Sequence, residues 1–305
     1  MAKLPFGLGP GHAATALRFW KSVRALSTQE IAQEAERPFL LALVGPETAA
    51  QALAKRLALE TPNTALAPEE APPDLTGWVR SYADAGDVPA GSLTLPTDGV
   101  AGDEGALAQA LATLVVEHSD LRLALGKRVP AFRPAVAAQL IGEASWNNAK
   151  IATLSALPGI LPIPNLLLPA TSLGDMVLLT KNQALLLLRI AAAYGLPPDV
   201  RARTRELLPV VGGAFGWRAV ARELLGIVPG GIGLIVKGSV AYAGTYTVGK
   251  AASIYYSTGQ TLSGPRLRQL YKDALRDATT RVRGLARRPK PGTKERLPAV
   301  LPDKS

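Results

Sequence analysis

The sequence predicts a mainly α protein, a C-terminal apolar helical bundle preceded by a small, degenerate α/β domain of P-loop-like pattern. Three observations carry this. Phe39–Val44 is a six-residue apolar run closed by Gly45-Pro46 and followed by a helical pattern, a strand, turn and helix in succession. From Ser119 onward every segment has helical length. Within that half, 151–174 carries no charge, and 224–265 carries only Lys237 and Lys250. At 305 residues the chain has room for two modest domains. The expected division is 1–118 for the α/β part, 119–284 for the helices and 285–305 for a basic tail.

Taken in order, Met1–His12 lacks the basic patch and apolar core of a secretory signal. Ser27-Thr28-Gln29-Glu30 reads as a capping box opening a helix, which Arg37-Pro38 ends. After the strand, Gln51, Leu53, Leu57 and Leu59 mark a helix. A phosphate-binding loop needs G-x-x-x-x-G-K-[ST], and Ala50, Gln51 and Ala52 stand where the second Gly, the Lys and the hydroxyl belong. Without the Lys and the magnesium ligand, ordinary nucleotide hydrolysis is not expected. Asn63–Pro73 reads as a loop, Trp78–Tyr82 and Ser92–Leu95 as short strands, and Asp103-Glu104 as the start of a helix through Val116. The span is too short for a full G-protein domain.

Helices are expected over Phe132–Ala156, Leu173–Tyr194, Val200–Leu208, Ala214–Leu225, Ile232–Tyr256 and onward from Ser263-Gly264-Pro265. The second opens on a possible capping box at Ser172-Leu173-Gly174-Asp175 and stops at Gly195 before Pro197-Pro198. In it Asp175, Asn182 and Arg189 recur every seven residues on one stripe. With Lys181 they form the candidate polar or interaction site, and a satisfied network between packed helices is the plainer reading. Two rows of small residues, Ser239, Ala243, Thr247, Ala251 and Ala241, Thr245, Gly249, Ser253, suit close helix approach in a membrane or in an alanine-rich soluble bundle. Pro158, Pro162, Pro164 and Pro169 make the uncharged run better suited to a buried, interfacial or re-entrant segment than to a straight span. The glycine-rich pieces Val211-Gly212-Gly213 and Pro229–Gly233 could cradle an anion or simply turn the chain.

Charge is asymmetric. The chain carries 34 Lys and Arg against 24 Asp and Glu, a net charge of +10, and Arg266–Ser305 holds twelve of those cations against four acids. The last helix has an amphipathic stripe, Leu267, Leu270, Tyr271, Ala274, Leu275, Ala278 and Val282. Arg266, Arg268, Lys272, Arg276, Arg283, Arg287 and Arg288 are the candidate contacts to anionic lipid, and plain solvation is the competing reading. Tyr271 is the only aromatic residue of this segment and lies on its apolar stripe, which ranks nucleic acid below lipid. Cysteine is absent, removing disulfide and thiolate chemistry and fitting a cytosolic setting. His12 and His118 have no carboxylate cluster at metal-ligand spacing. No residue is assigned as catalytic, and no cofactor or metal is expected.

Pro130–Val136, Leu178–Ala184, Arg189–Gly195, Pro209–Arg218 and Ala241–Tyr246 together resemble a bacterial GTPase-associated domain family of unknown function that includes YcjF-type membrane proteins. The resemblance covers roughly 121–271. Relatives often carry an Era-like GTPase ahead of this domain, so the strand ending at Val44-Gly45 looks like its remnant. The resemblance implies a setting rather than a reaction: the cytoplasmic side of the cell membrane, or the cytoplasm, with a GTPase or other protein partner. A scaffold or regulator is the expected role. The alternatives are a GTPase-related protein binding nucleotide through an unorthodox loop, and a soluble nucleic-acid binder using the basic segment.

Overall fold

The structure, a computed structural model, describes residues 27–57, 78–154, 173–203 and 233–286. Among these, eight α-helices and one three-stranded parallel sheet make the protein mainly helical. The elements are α1 (Gln29–Ala35), β1 (Leu40–Val44), α2 (Glu47–Arg56), β2 (Trp78–Tyr82), β3 (Leu93–Pro96), α3 (Glu104–Glu117), α4 (Arg122–Arg128), α5 (Arg133–Leu154), α6 (Leu173–Ala193), α7 (Gly233–Thr258) and α8 (Gly264–Ala286). Short 3-10 turns stand at Ala85–Asp87 and Pro130–Phe132.

The chain divides into two interleaved units. Among the described residues, one comprises those of Ser27–Gln139 with Leu188–Pro198, the other those of Leu140–Leu187 and those from Asp199 onward. Two helices, α5 and α6, therefore contribute to both. The boundary read from the sequence at 118/119 falls inside the first unit.

In the first unit, β1 is central in the order β2-β1-β3, with Leu41 opposite Val79 on one side and Leu93 on the other. Leu41, Ala42 and Leu43 are consecutive, so their side chains alternate between the two faces of the sheet, and all three are wholly buried: both faces of β1 are covered. On β3 the period is two, with Leu93 and Leu95 buried and Thr94 and Pro96 exposed. Helix α3 is capped by Asp103, whose Oδ1 accepts from the Gly105 and Ala106 amides at 2.8 and 3.1 Å. Helix α4 approaches the end of α6 closely, because a Cβ on Gly126 would lie 3.0 Å from the Ala193 oxygen. That end is closed by a Schellman motif: Leu196 N donates to Ala191 O and Gly195 N to Ala192 O, both at 2.9 Å, with Gly195 at φ +79.

In the second unit, α7 is the central helix: no residue from Lys237 to Tyr256 is exposed. Its small residues explain how. A Cβ on Gly249 would stand 2.6 Å from Ile141 Cγ1 and 3.1 Å from Leu186 Cδ2, so α5 and α6 pack directly on the α7 backbone there. On another side Tyr242 packs on Ala149 and Ala278, while Ala243 meets Tyr271 and Ala274 of α8. Tyr242 and Tyr246 stack with ring centroids 6.1 Å apart. Five residues, among them Gly259 at φ +71, join α7 to α8 in an antiparallel pair.

Some expectations shift. Helix α1 starts at Gln29 with Thr28 as its N-cap and no side-chain cap bond, so the Ser27–Glu30 box does not form; Thr28, not Ser27, sits at the helix boundary. Residues 200–203 form a turn rather than the start of a helix. The Asn63–Pro73 loop, the Ser172 cap, the prolines of the uncharged run, the helices expected over 204–208 and Ala214–Leu225, both glycine-rich pieces, Met1–His12 and the tail beyond Ala286 lie outside the described residues.

Candidate functional site

In an open parallel sheet, ligands bind beyond the carboxyl ends of the strands where the strand order reverses. Here that point is the shared end of β1 and β3. Thr97 N donates to Val44 O at 2.8 Å and Gly45 N to Tyr82 O at 2.9 Å, so these backbone groups already bond one another. The connection from β1 to α2 is only Gly45-Pro46, and α2 begins at Glu47. A phosphate loop needs several free amides between strand and helix to wrap an anion. Instead Ala50, Gln51 and Ala52 are already helical.

The Glu47 carboxylate occupies the start of α2. It accepts from Gln51 Nε2 at 3.0 Å and from Ser81 Oγ at 3.0 Å. A carboxylate there satisfies the positive helix terminus itself and opposes a second anion. At about 4 Å that repulsion is roughly 1 kcal/mol in water and about 4 kcal/mol near a protein surface. Gly45, at φ +141, cannot be widened: a Cβ would lie 2.0 Å from Thr97 Oγ1.

The polar stripe of α6 resolves into separate environments. Lys181 is exposed to solvent. Asn182 Nδ2 donates to Asn148 Oδ1 at 2.8 Å, and Asn148, wholly buried on α5, donates through Nδ2 to Thr245 Oγ1 at 2.8 Å and to Leu179 O at 3.3 Å. Gln183 Nε2 donates to the same Thr245 hydroxyl at 3.1 Å, which in turn donates to Ala241 O at 2.9 Å. Thr245 thus uses its one donor and both lone pairs, and Asn148 uses both amide hydrogens. The network joins α5, α6 and α7, contains no titratable group, and leaves little bonding capacity for a ligand. Asn148, Gln183 and Thr245 were missed by sequence reasoning, which followed charge; the signal was the small-residue row containing Thr245.

Arg189 belongs to the other unit. It donates from Nη2 to Glu34 Oε1 at 2.7 Å. Burial pushes the Glu34 carboxyl above its ordinary pKa, against the opposing pull of Arg189, Arg37 and Arg122. Its neighbour Glu36 is held below the ordinary range, chiefly by the hydrogen bond from Lys127, with Arg128 adding a second at 2.9 Å. Arg37 pairs with Asp120 at 3.3 Å. These are ion pairs clasping α1 to α4 and α6, and the groove of about 280 Å³ beside Glu36 and Lys127 is walled by Ala32, Ala35, Leu196 and Pro197. The side chain of Asp175 lies outside the described residues; Asn182 and Arg189 are not gathered into one site.

On α8 the structure separates two faces. Tyr271, Ala274 and Ala278 are buried, and burial pushes the Tyr271 phenol up to about 12. Arg266, Arg268, Lys272 and Arg276 are exposed. At 3.6 residues per turn, Arg268, Lys272 and Arg276 form a stripe along one side that Arg283 continues in the helix. Asp273 partly offsets it, accepting from Gln269 Nε2 at 3.0 Å and standing 3.7 Å from Arg276. The side chain of Arg283, and all of Arg287 and Arg288, lie outside the described residues. Among the described residues no three His, Asp or Glu side chains group as metal ligands, and no helix is long and apolar enough to cross a membrane. Comparison of the chain with family models, with curated proteins and with solved structures finds no match.

Proposed function

We propose that this protein is a non-catalytic helical scaffold or regulator, its apolar C-terminal bundle held at an anionic membrane surface by electrostatic contact beside a partner protein. The observation that carries this reading is the exposed basic side of α8. Because Tyr271, Ala274 and Ala278 are committed to α7, the helix offers charge rather than apolar surface to lipid, so attachment through it is peripheral. Each basic residue close to an anionic surface contributes about 1 kcal/mol, so Arg268, Lys272 and Arg276, less the opposing Asp273, supply about 2 kcal/mol. The cations beyond Ala286 would add to this. The family resemblance fits a membrane setting, and a GTPase is one candidate partner.

The test is sedimentation of the purified protein with phosphatidylcholine vesicles, with and without phosphatidylglycerol, across a salt titration. The reading expects retention only on anionic vesicles and release by salt. Replacing Arg268, Lys272 and Arg276 together by Glu should abolish retention while leaving helicity unchanged. Equal retention of that variant would refute the role of α8.

A further inference from the structure

Helix α1 cannot support itself. It has seven residues, its N-cap Thr28 makes no side-chain bond, and its buried residues are Ile31 and Ala35. Isolated helices shorter than about 12–15 residues are marginal in water, so α1 persists because of what it sits on.

Its seat is cationic. Glu34 pairs with Arg189 near the end of α6 and feels the charge of Arg122 as well. Glu36 pairs with Lys127 and Arg128 of α4, and Arg37 with Asp120 just ahead of α4. Segment 29–37 thus carries Glu30, Glu34 and Glu36 against Arg37, while the surface it meets carries Arg122, Lys127, Arg128 and Arg189 against Asp120.

Packing between the two is incomplete. The groove of about 280 Å³ lies between Ala32 and Ala35 of α1 and the stretch from Ala192 to Pro198, so apolar side chains do not seal α1 against the end of α6. Glu36, Arg37 and Pro38, which follow α1, are exposed, and Phe39 is the next buried residue. The chain can therefore swing at 36–38 with the sheet intact. Exposed ion pairs are weak and screened by salt, and a segment with few buried apolar contacts opens at low cost.

We propose that α1 is a releasable acidic cover on a cationic seat formed by α4 and the end of α6, and that an acidic helical segment of a partner protein takes the same seat once α1 lifts. The chemistry of that segment is set by α1 itself: carboxylates that meet Arg189, Lys127 and Arg128, beside small side chains facing Ala192 and Leu196 across the groove. With α1 seated the partner is shut out, which makes the contact autoinhibitory. The cover operates whether or not α8 meets lipid, and so stands apart from the membrane reading.

Hydrogen exchange of the full-length protein, read by mass spectrometry, tests the release. Between about 0.1 and 1 M salt the screening length falls from about 10 to about 3 Å. Several-fold faster exchange across 29–35, with unchanged protection in β1 and α4, is expected; exchange of α1 only together with β1 and α4, at a rate indifferent to salt, overturns it. The seat is tested with full-length Gln33→Pro, which breaks α1 at an exposed position, and a fluorescent synthetic Ser27–Arg37 peptide. Binding several-fold tighter than to the wild-type chain is expected. It should be lost at high salt, when Lys127→Gln and Arg189→Gln are added to the opened chain, and for the peptide with Glu30→Gln, Glu34→Gln and Glu36→Gln. No binding, equal binding to both chains, or binding that ignores these changes overturns the shared seat. Should Gln33→Pro lose protection in α4, the variant Glu34→Lys with Glu36→Lys, which repels α1 from its seat without a helix breaker, replaces it with the same expected outcomes.

Discussion

Replacing Asn148 by Ala tests whether a polar network, rather than apolar packing alone, specifies the helical unit. The substitution removes the bonds to Leu179 O, Thr245 Oγ1 and Asn182 Nδ2 at once. A net hydrogen bond contributes about 0.5–1.5 kcal/mol. Three such bonds give about 1.5–4.5 kcal/mol. The exposed route open to Asn182, which is half-buried and can find water, argues for the middle of that range, about 3 kcal/mol. Urea unfolding followed by far-UV circular dichroism reads this as a lower midpoint at unchanged slope. Thr245→Val, alone and combined with Asn148→Ala, completes a double-mutant cycle whose coupling should lie between about 0.5 and 3 kcal/mol. A cost for Asn148→Ala below about 1 kcal/mol, with strict additivity, would refute the reasoning and leave packing as the sole determinant.

Gly249→Ala places a methyl 2.6 Å from Ile141 Cγ1 and should cost about 1–3 kcal/mol, a penalty that Ile141→Ala in the same chain partly relieves; no relief would show that α5 is not the obstacle. Gly45→Ala meets Thr97 Oγ1 at 2.0 Å and also strains φ +141, so Thr97→Ala should rescue it only in part, as judged by thermal unfolding. The pH profile of stability should show opposite signs at two adjacent carboxylates. Glu36, lowered in the fold, stabilises above its unfolded pKa, and the effect is lost as pH falls, so Glu36→Gln flattens the acid limb. Glu34, raised by burial, contributes most below its unfolded pKa and loses that contribution as pH rises through the raised value, so Glu34→Gln steepens the limb; the same slope in both variants would contradict the assignment.

The local elements were legible because their causes are local. An apolar run closed by Gly45-Pro46 makes β1, Asp103 two residues ahead of Gly105 caps α3, and Gly195 before two prolines ends α6. The period of α8 separated its buried stripe from its charged side without any knowledge of the helix it packs on. The missing phosphate-loop Lys was equally plain, since it depends on spacing along the chain alone.

The candidate site was not legible, because hydrogen bonds across helices depend on depth and rotation that no single helix encodes. The seven-residue recurrence of Asp175, Asn182 and Arg189 places them on one stripe, with a satisfied network between packed helices as its plainer reading. Yet Asn182 turns to Asn148, 34 residues earlier, and Arg189 to Glu34, 155 residues earlier. Covalent continuity along α6 placed them on a common face; packing at its two halves gave them different partners. The sequence by itself determined where helices and strands begin, where charge accumulates and which chemistry is lacking. Only tertiary structure decided that α7 is enclosed from Lys237 to Tyr256 and that Asn148 and Thr245 join three helices. Burial and hydrogen bonding are properties of pairs of elements, and the energy that selects among pairings exists only once the elements touch.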